Sequence, residues 1–410
     1  MRSPAKMNSK NLLLMAGIIF VAFTLRPAIT SVGPLIGAIR DETGISNGAA
    51  GLLTTLPLVA FALLSPFVPR IAQKLGSEWS ILLGLTILGA GIAARSLGML
   101  PPLYIGTILI GLGVGLCNVL LPGMVKEKFP QKVGLLTGIY TFSMGIWAGL
   151  APGFSVPLAE DLGLGWKLSL GAWAILIFIA IIVWLPQIRG REKKTETPAV
   201  TAPKTSIWSS PIAWQVTLFM GLQSMVYFST TTWLPEILHS QGRDIAEAGW
   251  MVTVLQFSGL PVNFIIPVLA DRLPNQKAIA FWIGAFTFAG ITGLLMNFSV
   301  ILTNLSIVLI GIGLGAAISH SLTLIGLRAE NAKQAASLSG MAQSVGYLLA
   351  AAGPILIGSL YDLLGTWTVP LALLLANTAI FTVSGIGAGR DQFVLQDKRH
   401  KQKKTASTIA

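Results

Sequence analysis

Arg26 is the residue of this chain best placed to do chemistry. It follows about 15 apolar or weakly polar residues, and Pro27 and further apolar sequence to Ile39 come after it. At 1.5 Å of rise per residue it lies roughly 22 Å into a helix of about 40 Å. Keeping an arginine at that depth in hydrocarbon costs about 2.5–3.5 kcal/mol on insertion scales. A guanidinium can cap carbonyls freed by the Pro27 kink, or it can bind an anion or dipole with its planar fork of donors. Both readings stand, and they are compatible. His320, between Ser319 and Ser321, is the only histidine deep in an apolar run. It is either a buried neutral imidazole or a ligand for solute or proton. Further polar candidates within apolar runs are Asn118, Tyr140, Trp147, Gln223, Tyr227, Gln256, Asn263, Gln343 and Tyr347. Each either bonds a neighbouring helix or lines a cavity.

Enzyme chemistry finds little to use here. The 16 acidic residues fall in loops, tails or helix ends, with no carboxylate pair at depth, no His-Glu-x-x-His and no phosphate-cradling glycine loop. The lone cysteine, Cys117, rules out a disulfide framework, a cysteine zinc site and a cysteine-held cluster. The expectation is no catalytic residue, no metal and no cofactor.

The elements that carry these residues follow from composition. Of 410 residues, 53% are hydrophobic and 11% charged, against about 25% charged in a soluble domain. Mean hydropathy is +0.74. The net charge of +12 does not signal nucleic acid, because the basic residues sit in short bursts between apolar runs. The partner this composition implies is the lipid bilayer. Twelve stretches are long enough to span it: 11–38, 49–69, 79–96, 103–125, 133–158, 167–185, 211–238, 245–269, 277–297, 300–327, 334–360 and 367–388. Length without strict alternation makes them helices, so the fold class is an all-α membrane protein. The first stretch is too long in its apolar part for a cleaved signal peptide.

With the N-terminus inside, 23 of the 28 basic residues lie on the cytoplasmic side and four (Arg40, Arg95, Lys167 and Arg243) in outer loops, leaving Arg26. The positive-inside rule then places both termini in the cytoplasm and the chain in the plasma membrane. The expected division is a cytoplasmic N-terminus at 1–10, a six-helix bundle at 11–185, a polar central loop at 186–210, a second bundle at 211–388 and a basic tail at 389–410. The basic runs of loop and tail read as topology determinants against anionic head groups.

The halves repeat. Ile110-Gly-Leu-Gly-Val-Gly115 returns as Ile310-Gly-Ile-Gly-Leu-Gly315, a shift of 200. Asp161-Leu-x-x-x-Trp166 returns as Asp362-Leu-x-x-x-Trp367, a shift of 201 that also relates Pro34 to Pro235. Pro69-x-x-Ala-Gln-Lys-Leu75 returns as Pro267-x-x-Ala-Asp-Arg-Leu273, a shift of 198. Parallel repeats about an axis along the membrane normal place a solute path between them. The shift of 201 puts Tyr227 opposite Arg26, where a phenol can stack on or bond to a flat polar molecule. The glycine runs let helices approach closely.

Twelve spans, a central loop and the duplicated loop motif resemble the major facilitator superfamily. Its signature, G-x-L-a-D-R-x-G-R/K-R/K, keeps its Asp271-Arg272 pair in the second copy, whereas the first copy has Gln73-Lys74. Within that superfamily the chain resembles the cyanate and 2-nitroimidazole permease branch. The resemblance rests on Leu25-Arg-Pro-Ala-Ile-Thr-Ser-Val-Gly-Pro34, Thr54-Thr-Leu-Pro57, Asn118-x-x-x-Pro122, Gln223-Ser-x-x-Tyr227 and Trp233-Leu-Pro235. It implies two six-helix bundles and transport of a small polar or anionic organic solute by alternating access. Asp271 and Arg272 are the expected gating pair, and Arg26, Tyr227, Asn118, Tyr140, Gln223, Gln256, His320, Gln343 and Tyr347 the expected solute contacts. Protons as a coupling partner and a monomeric state complete the expectation. The alternatives are a drug–proton exporter of the same fold, which calls for a greasy cavity with a membrane carboxylate, and a non-transporting receptor.

Overall fold

A computed structural model describes residues 9–129, 133–189, 207–297, 299–330 and 332–395. The basic runs expected in the N-terminus, the central loop and the tail fall largely outside them. Among the described residues every regular element is helical, as hydrocarbon requires of a chain that must satisfy its own backbone. The α-helices are α1 (Ser9–Thr24), α2 (Pro27–Thr30), α3 (Ile36–Thr43), α4 (Asn47–Leu64), α5 (Val68–Leu75), α6 (Ser77–Arg95), α7 (Leu100–Lys128) and α8 (Val133–Ala159). They continue with α9 (Gly165–Gly171), α10 (Ala174–Trp184), α11 (Pro211–Ser240), α12 (Ile245–Arg272), α13 (Lys277–Met296), α14 (Val300–Leu327), α15 (Ala332–Leu364) and α16 (Thr368–Ala388).

Among the described residues, eleven helical stretches are long and apolar enough to cross a membrane. The expected stretch at 211–238 is not among them. It is α11, 30 residues long and largely buried, whose run of Ser229 and three threonines lowers its apolar character. The first stretch is not one helix. Pro27 has no N–H to give, so α1 ends at Thr24 and α2 starts after a turn at Leu25–Arg26. A 3-10 turn at Gly33–Leu35 then leads into α3, and Gly44 closes α3 with φ +71°.

Two clusters of buried apolar side chains organise the packing. One draws mainly on residues 14–184, with Phe228, Ala350 and Ala351 added. The other draws mainly on 207–394, with six residues from Val32 to Leu53 and five from α7 to α9 added. Two helix pairs join them, α4 with α15 and α8 with α12. The paired glycine runs do the packing expected of them. A Cβ on Gly111 would come within 2.5 Å of the Pro57 Cα, and one on Gly311 would overlap the Leu255 carbonyl oxygen. Gly113 meets Gly84 and Leu88 of α6, while Gly313 meets Thr287 and Ile283 of α13.

One placement needs correction. Arg95, expected in an outer loop, is the last residue of α6 and only 1% exposed. The apolar run simply ends there, and position at a run's end did not reveal that the side chain turns inward.

Candidate functional site

The break in the first span is where chemistry collects. Arg26 is the N-cap residue of α2, with φ −110° and ψ −40°, and its carbonyl accepts from the Ile29 and Thr30 N–H groups at 2.9 and 3.0 Å. The interruption throws the side chain off the helix surface. It helps to line a cleft whose walls come from both sides of the molecule: Pro57 and Phe61 of α4, Asn118 of α7, Phe228 of α11 and Tyr347 of α15. Phe61 meets Tyr347 edge to face at 4.8 Å. The cleft is therefore a mostly apolar slot with one cation, one amide and one phenol, and no acidic residue lines it.

Tyr227 stands beside this slot. Its hydroxyl accepts from Gln256 Nε2 of α12 at 2.7 Å, and its ring meets Phe228 edge to face at 5.1 Å. Arg26 and Tyr227 are both within electrostatic reach of the Tyr347 hydroxyl. Half-buried Arg26 has no ion-pair or side-chain hydrogen-bond partner among the described residues. Of the expected solute contacts, Arg26, Asn118 and Tyr347 line the cleft, and Tyr227 and Gln256 form a bonded pair next to it.

The other candidates lie apart. His320 is fully buried, packed edge to face against Phe219 at 5.7 Å, with both ring nitrogens unpartnered among the described residues. It is sealed into the α11–α14–α16 packing and does not line the cleft. Gln223 is buried too, and its amide donates to the Met220 carbonyl and the Ser224 hydroxyl at 3.1 and 2.8 Å. Gln343 donates to Ser339 Oγ at 2.8 Å along its own helix. Tyr140 is buried in the first apolar cluster. Trp147 packs between Phe23 and Trp173, at 5.7 and 6.2 Å. Asn263 is half-buried on α12. Arg272 is exposed in the last turn of α12, and the side chain of Asp271 lies outside the described residues.

Sequence reasoning missed the aromatic walls. Phe61 and Phe228 sit in runs of similar apolar residues, where nothing marks a cavity-lining ring from a lipid-facing one. Pro57 had a signal, a proline inside a helix, but was read only as part of a resembling string.

Toward one end of the molecule, hydrogen bonds tie the two sides together. Thr55 Oγ1 donates to the Ala351 carbonyl at 2.7 Å, Thr232 Oγ1 to Thr54 Oγ1 at 3.1 Å, and Thr253 Oγ1 to the Gly149 carbonyl at 2.6 Å. Asp362, at the end of α15, accepts from the Asn47 and Gly48 N–H groups and from Asn47 Nδ2.

Known proteins bear on this arrangement. The profile of the Major Facilitator Superfamily matches residues 18–354. An uncharacterized transporter, YycB, of Bacillus subtilis (strain 168) is 50% identical over 95% of this chain and 96% of its own length. The 2-nitroimidazole transporter of Escherichia coli (strain K12) is 41% identical over 96% of this chain and 99% of its own. The cyanate transport protein CynX of the same strain is 25% identical over 87% and 91%. Among solved structures, a bacterial homolog of the human lysosomal transporter Spinster, inward-facing and occupied, superposes with a TM-score of 0.72 at 16% identity, covering 94% of this chain and 97% of that one.

Proposed function

The chain belongs to the Major Facilitator Superfamily, and on that footing we propose that it carries a small, flat, polar or anionic organic solute through the Arg26 cleft. It is a solute transporter and not an enzyme, as its relatives are transporters, and it falls in the branch of the 2-nitroimidazole and cyanate permeases. The observation that carries the solute class is the cleft itself: a guanidinium without a counter-charge in a slot with aromatic walls. An uncompensated charge in apolar surroundings is costly. A solute bearing a carboxylate, cyanate or nitro group would supply the missing acceptor, bonded by two parallel donors of the fork. Tyr347, Asn118 and the Tyr227–Gln256 pair would orient its remaining polar atoms, with Phe61 and Phe228 covering its faces.

Alternating access would work through two six-helix bundles, 11–185 and 211–388, with α11 crossing as the twelfth span. Both termini would be cytoplasmic and the membrane the plasma membrane. The Asn47–Asp362 end is then the outer mouth, closed here. The Asp271-Arg272 loop is the inner gate, and the functional unit a monomer. A proton carrier, if the cycle uses one, is better sought outside the sealed His320 site.

The test is binding by purified protein, using 2-nitroimidazole and cyanate as probes and a lipophilic cation as contrast. Arg26→Lys replaces a fork by a point charge, so it should stay folded and lose about tenfold in affinity, or about 1.4 kcal/mol. Arg26→Ala should lose binding and keep, or slightly gain, thermal stability without ligand. Arg26→Ala protein that is unstable yet binds the probes normally would make Arg26 a structural cap. Stabilisation by the cation alone would favour the exporter reading.

A further inference from the structure

Arg95 carries a second, unexpected cation buried in the fold, and among the described residues its guanidinium makes one hydrogen bond, through Nη1, while Nε and Nη2 are buried without a partner. Its Nη1 donates to the carbonyl of Ala28 at 2.6 Å, two residues after Arg26 and inside the four-residue α2. The mount behind it is rigid. A Cβ on Gly106 of α7 would come within 2.6 Å of the Arg95 backbone nitrogen, so α6 and α7 are in backbone contact at that residue. A second tie reaches the same segment. Ser155 Oγ of α8 is shared between the Ser31 and Ala151 carbonyls at 3.0 and 2.6 Å, and Ser169 Oγ donates to the Ser155 carbonyl at 2.7 Å. Ser31, Ser155 and Ser169 are all fully buried.

A short helical segment between a turn and a 3-10 turn has few hydrogen bonds of its own to fix its direction. We infer that Arg95 is a positioning residue for Arg26: with Ser155 it pins the interrupted first span and so aims the Arg26 side chain into the cleft. This rests on Arg26 being the solute-binding group. A guanidinium suits the task because a charged donor binds a carbonyl more tightly than a neutral one. Burying a charge is costly, so an unbranched apolar side chain such as methionine would serve better if Arg95 only filled space.

The decisive experiment does not need the solute. In a Cys117→Ser background, a reporter thiol is introduced by Arg26→Cys or, as control on α7, by Asn118→Cys. Its modification by a small methanethiosulfonate is timed with and without Arg95→Met. The expected result is a change at position 26 of about tenfold, the loss of one charged-donor hydrogen bond read as an equilibrium ratio, with position 118 unaffected. Arg95→Lys, which keeps one charged donor, should restore most of the parent rate. Ser155→Ala should shift position 26 in the same direction by less, and it carries the test if Arg95→Met does not fold. Folded Arg95→Met and Ser155→Ala proteins with parent rates at position 26 would overturn the assignment. A parallel arm measures 2-nitroimidazole and cyanate uptake with Arg26 in place, where Arg95→Met should raise KM far more than it lowers kcat. A parent protein that takes up neither probe would count against the solute reading, while the thiol rates still decide the role of Arg95.

Discussion

The same short motif does different work at two places in this molecule. Asp362-Leu-x-x-x-Trp367 ends α15, and Asp161-Leu-x-x-x-Trp166 follows α8. Asp362 reaches across to α4, accepting from Asn47 N–H at 3.1 Å, Asn47 Nδ2 at 2.7 Å and Gly48 N–H at 2.7 Å. Asp161 is exposed and has no hydrogen-bond or ion-pair partner among the described residues. The helices facing them account for the difference. Ser46 caps α4 by accepting from the Ala49 N–H at 3.1 Å, which leaves the Asn47 and Gly48 N–H groups to find another acceptor. Asp244 caps α12 within its own chain segment, accepting from Ala246 and Glu247 at 2.9 and 3.3 Å, so of the helix's first three N–H groups only that of Ile245 is left without an acceptor among the described residues. The tryptophans diverge in parallel. Trp166 donates to Glu42 Oε2 at 2.6 Å, with Lys167 on the other oxygen at 2.5 Å, whereas Trp367 stacks on Tyr361 at 4.2 Å. The duplicated motif thus becomes a latch at the helix whose own cap leaves two adjacent N–H groups free, and not at the helix whose cap leaves one.

Asp362→Ala breaks the comparison most directly. It removes an acceptor for two helix N-terminal N–H groups and a favourable charge at the positive end of α4. Loss of an N-cap costs about 0.5–2 kcal/mol, a shift of about 2- to 30-fold between closed and open states. On the proposed orientation this opens the outer mouth. A thiol introduced by Thr55→Cys in the Cys117→Ser protein should react faster from outside with a membrane-impermeant reagent by that factor. An unchanged rate would mean that the remaining Thr232–Thr54 and Thr253–Gly149 bonds and the close α4–α15 packing hold the mouth without Asp362.

Asn47→Ala is the finer cut. It deletes the Nδ2 donor and keeps both backbone N–H groups on Asp362, so one side-chain hydrogen bond worth about 0.5–1.5 kcal/mol is lost. The same thiol assay should show acceleration in the same direction, smaller than for Asp362→Ala. A larger effect would move the latch from the carboxylate to the asparagine, whose carbonyl oxygen is buried without a partner among the described residues.

How much of this was legible in the sequence depends on how rare each signal is. A cation in the middle of an apolar run is rare, and Arg26, which lines the cleft, stands out for that reason. Paired glycine runs mark close helix contacts because a Cβ has nowhere to go, and the packing at Gly111 and Gly311 bears this out. The break at Arg26–Pro27 followed from proline chemistry. Phe61 and Phe228 were not found because hydrophobic periodicity fades when a helix has apolar neighbours on every side, protein or lipid. His320 and Gln223 are buried in helix packing away from the cleft. A polar residue in an apolar helix announces that it needs a partner or a cavity, but not which way it points. The latch lay further out of reach. Asp362 and Gly48 are 314 residues apart, and the repeat suggested that Asp161 and Asp362 should behave alike.

Asp161→Asn completes the set, with the smallest effect expected. Its carboxylate is exposed and unpartnered among the described residues, and surface substitutions of that kind usually change stability by no more than about 0.5 kcal/mol. The α12 start keeps its own Asp244 cap whatever stands at 161, so the thiol rate at position 55, the melting temperature and probe uptake should all match the parent. The double variant Asp161→Asn with Asp362→Ala should behave as Asp362→Ala alone, because the two sites share no partner and their effects should add. A clear effect of Asp161→Asn that disappears once Asp362 is gone would show the two motifs acting on one equilibrium. In that case Asp161 engages in the opposite conformation, when the outer mouth opens and the α8–α12 contact is remade. One latch and one bystander would then describe the closed mouth only, and over the whole cycle the duplicated aspartates would be alternating latches.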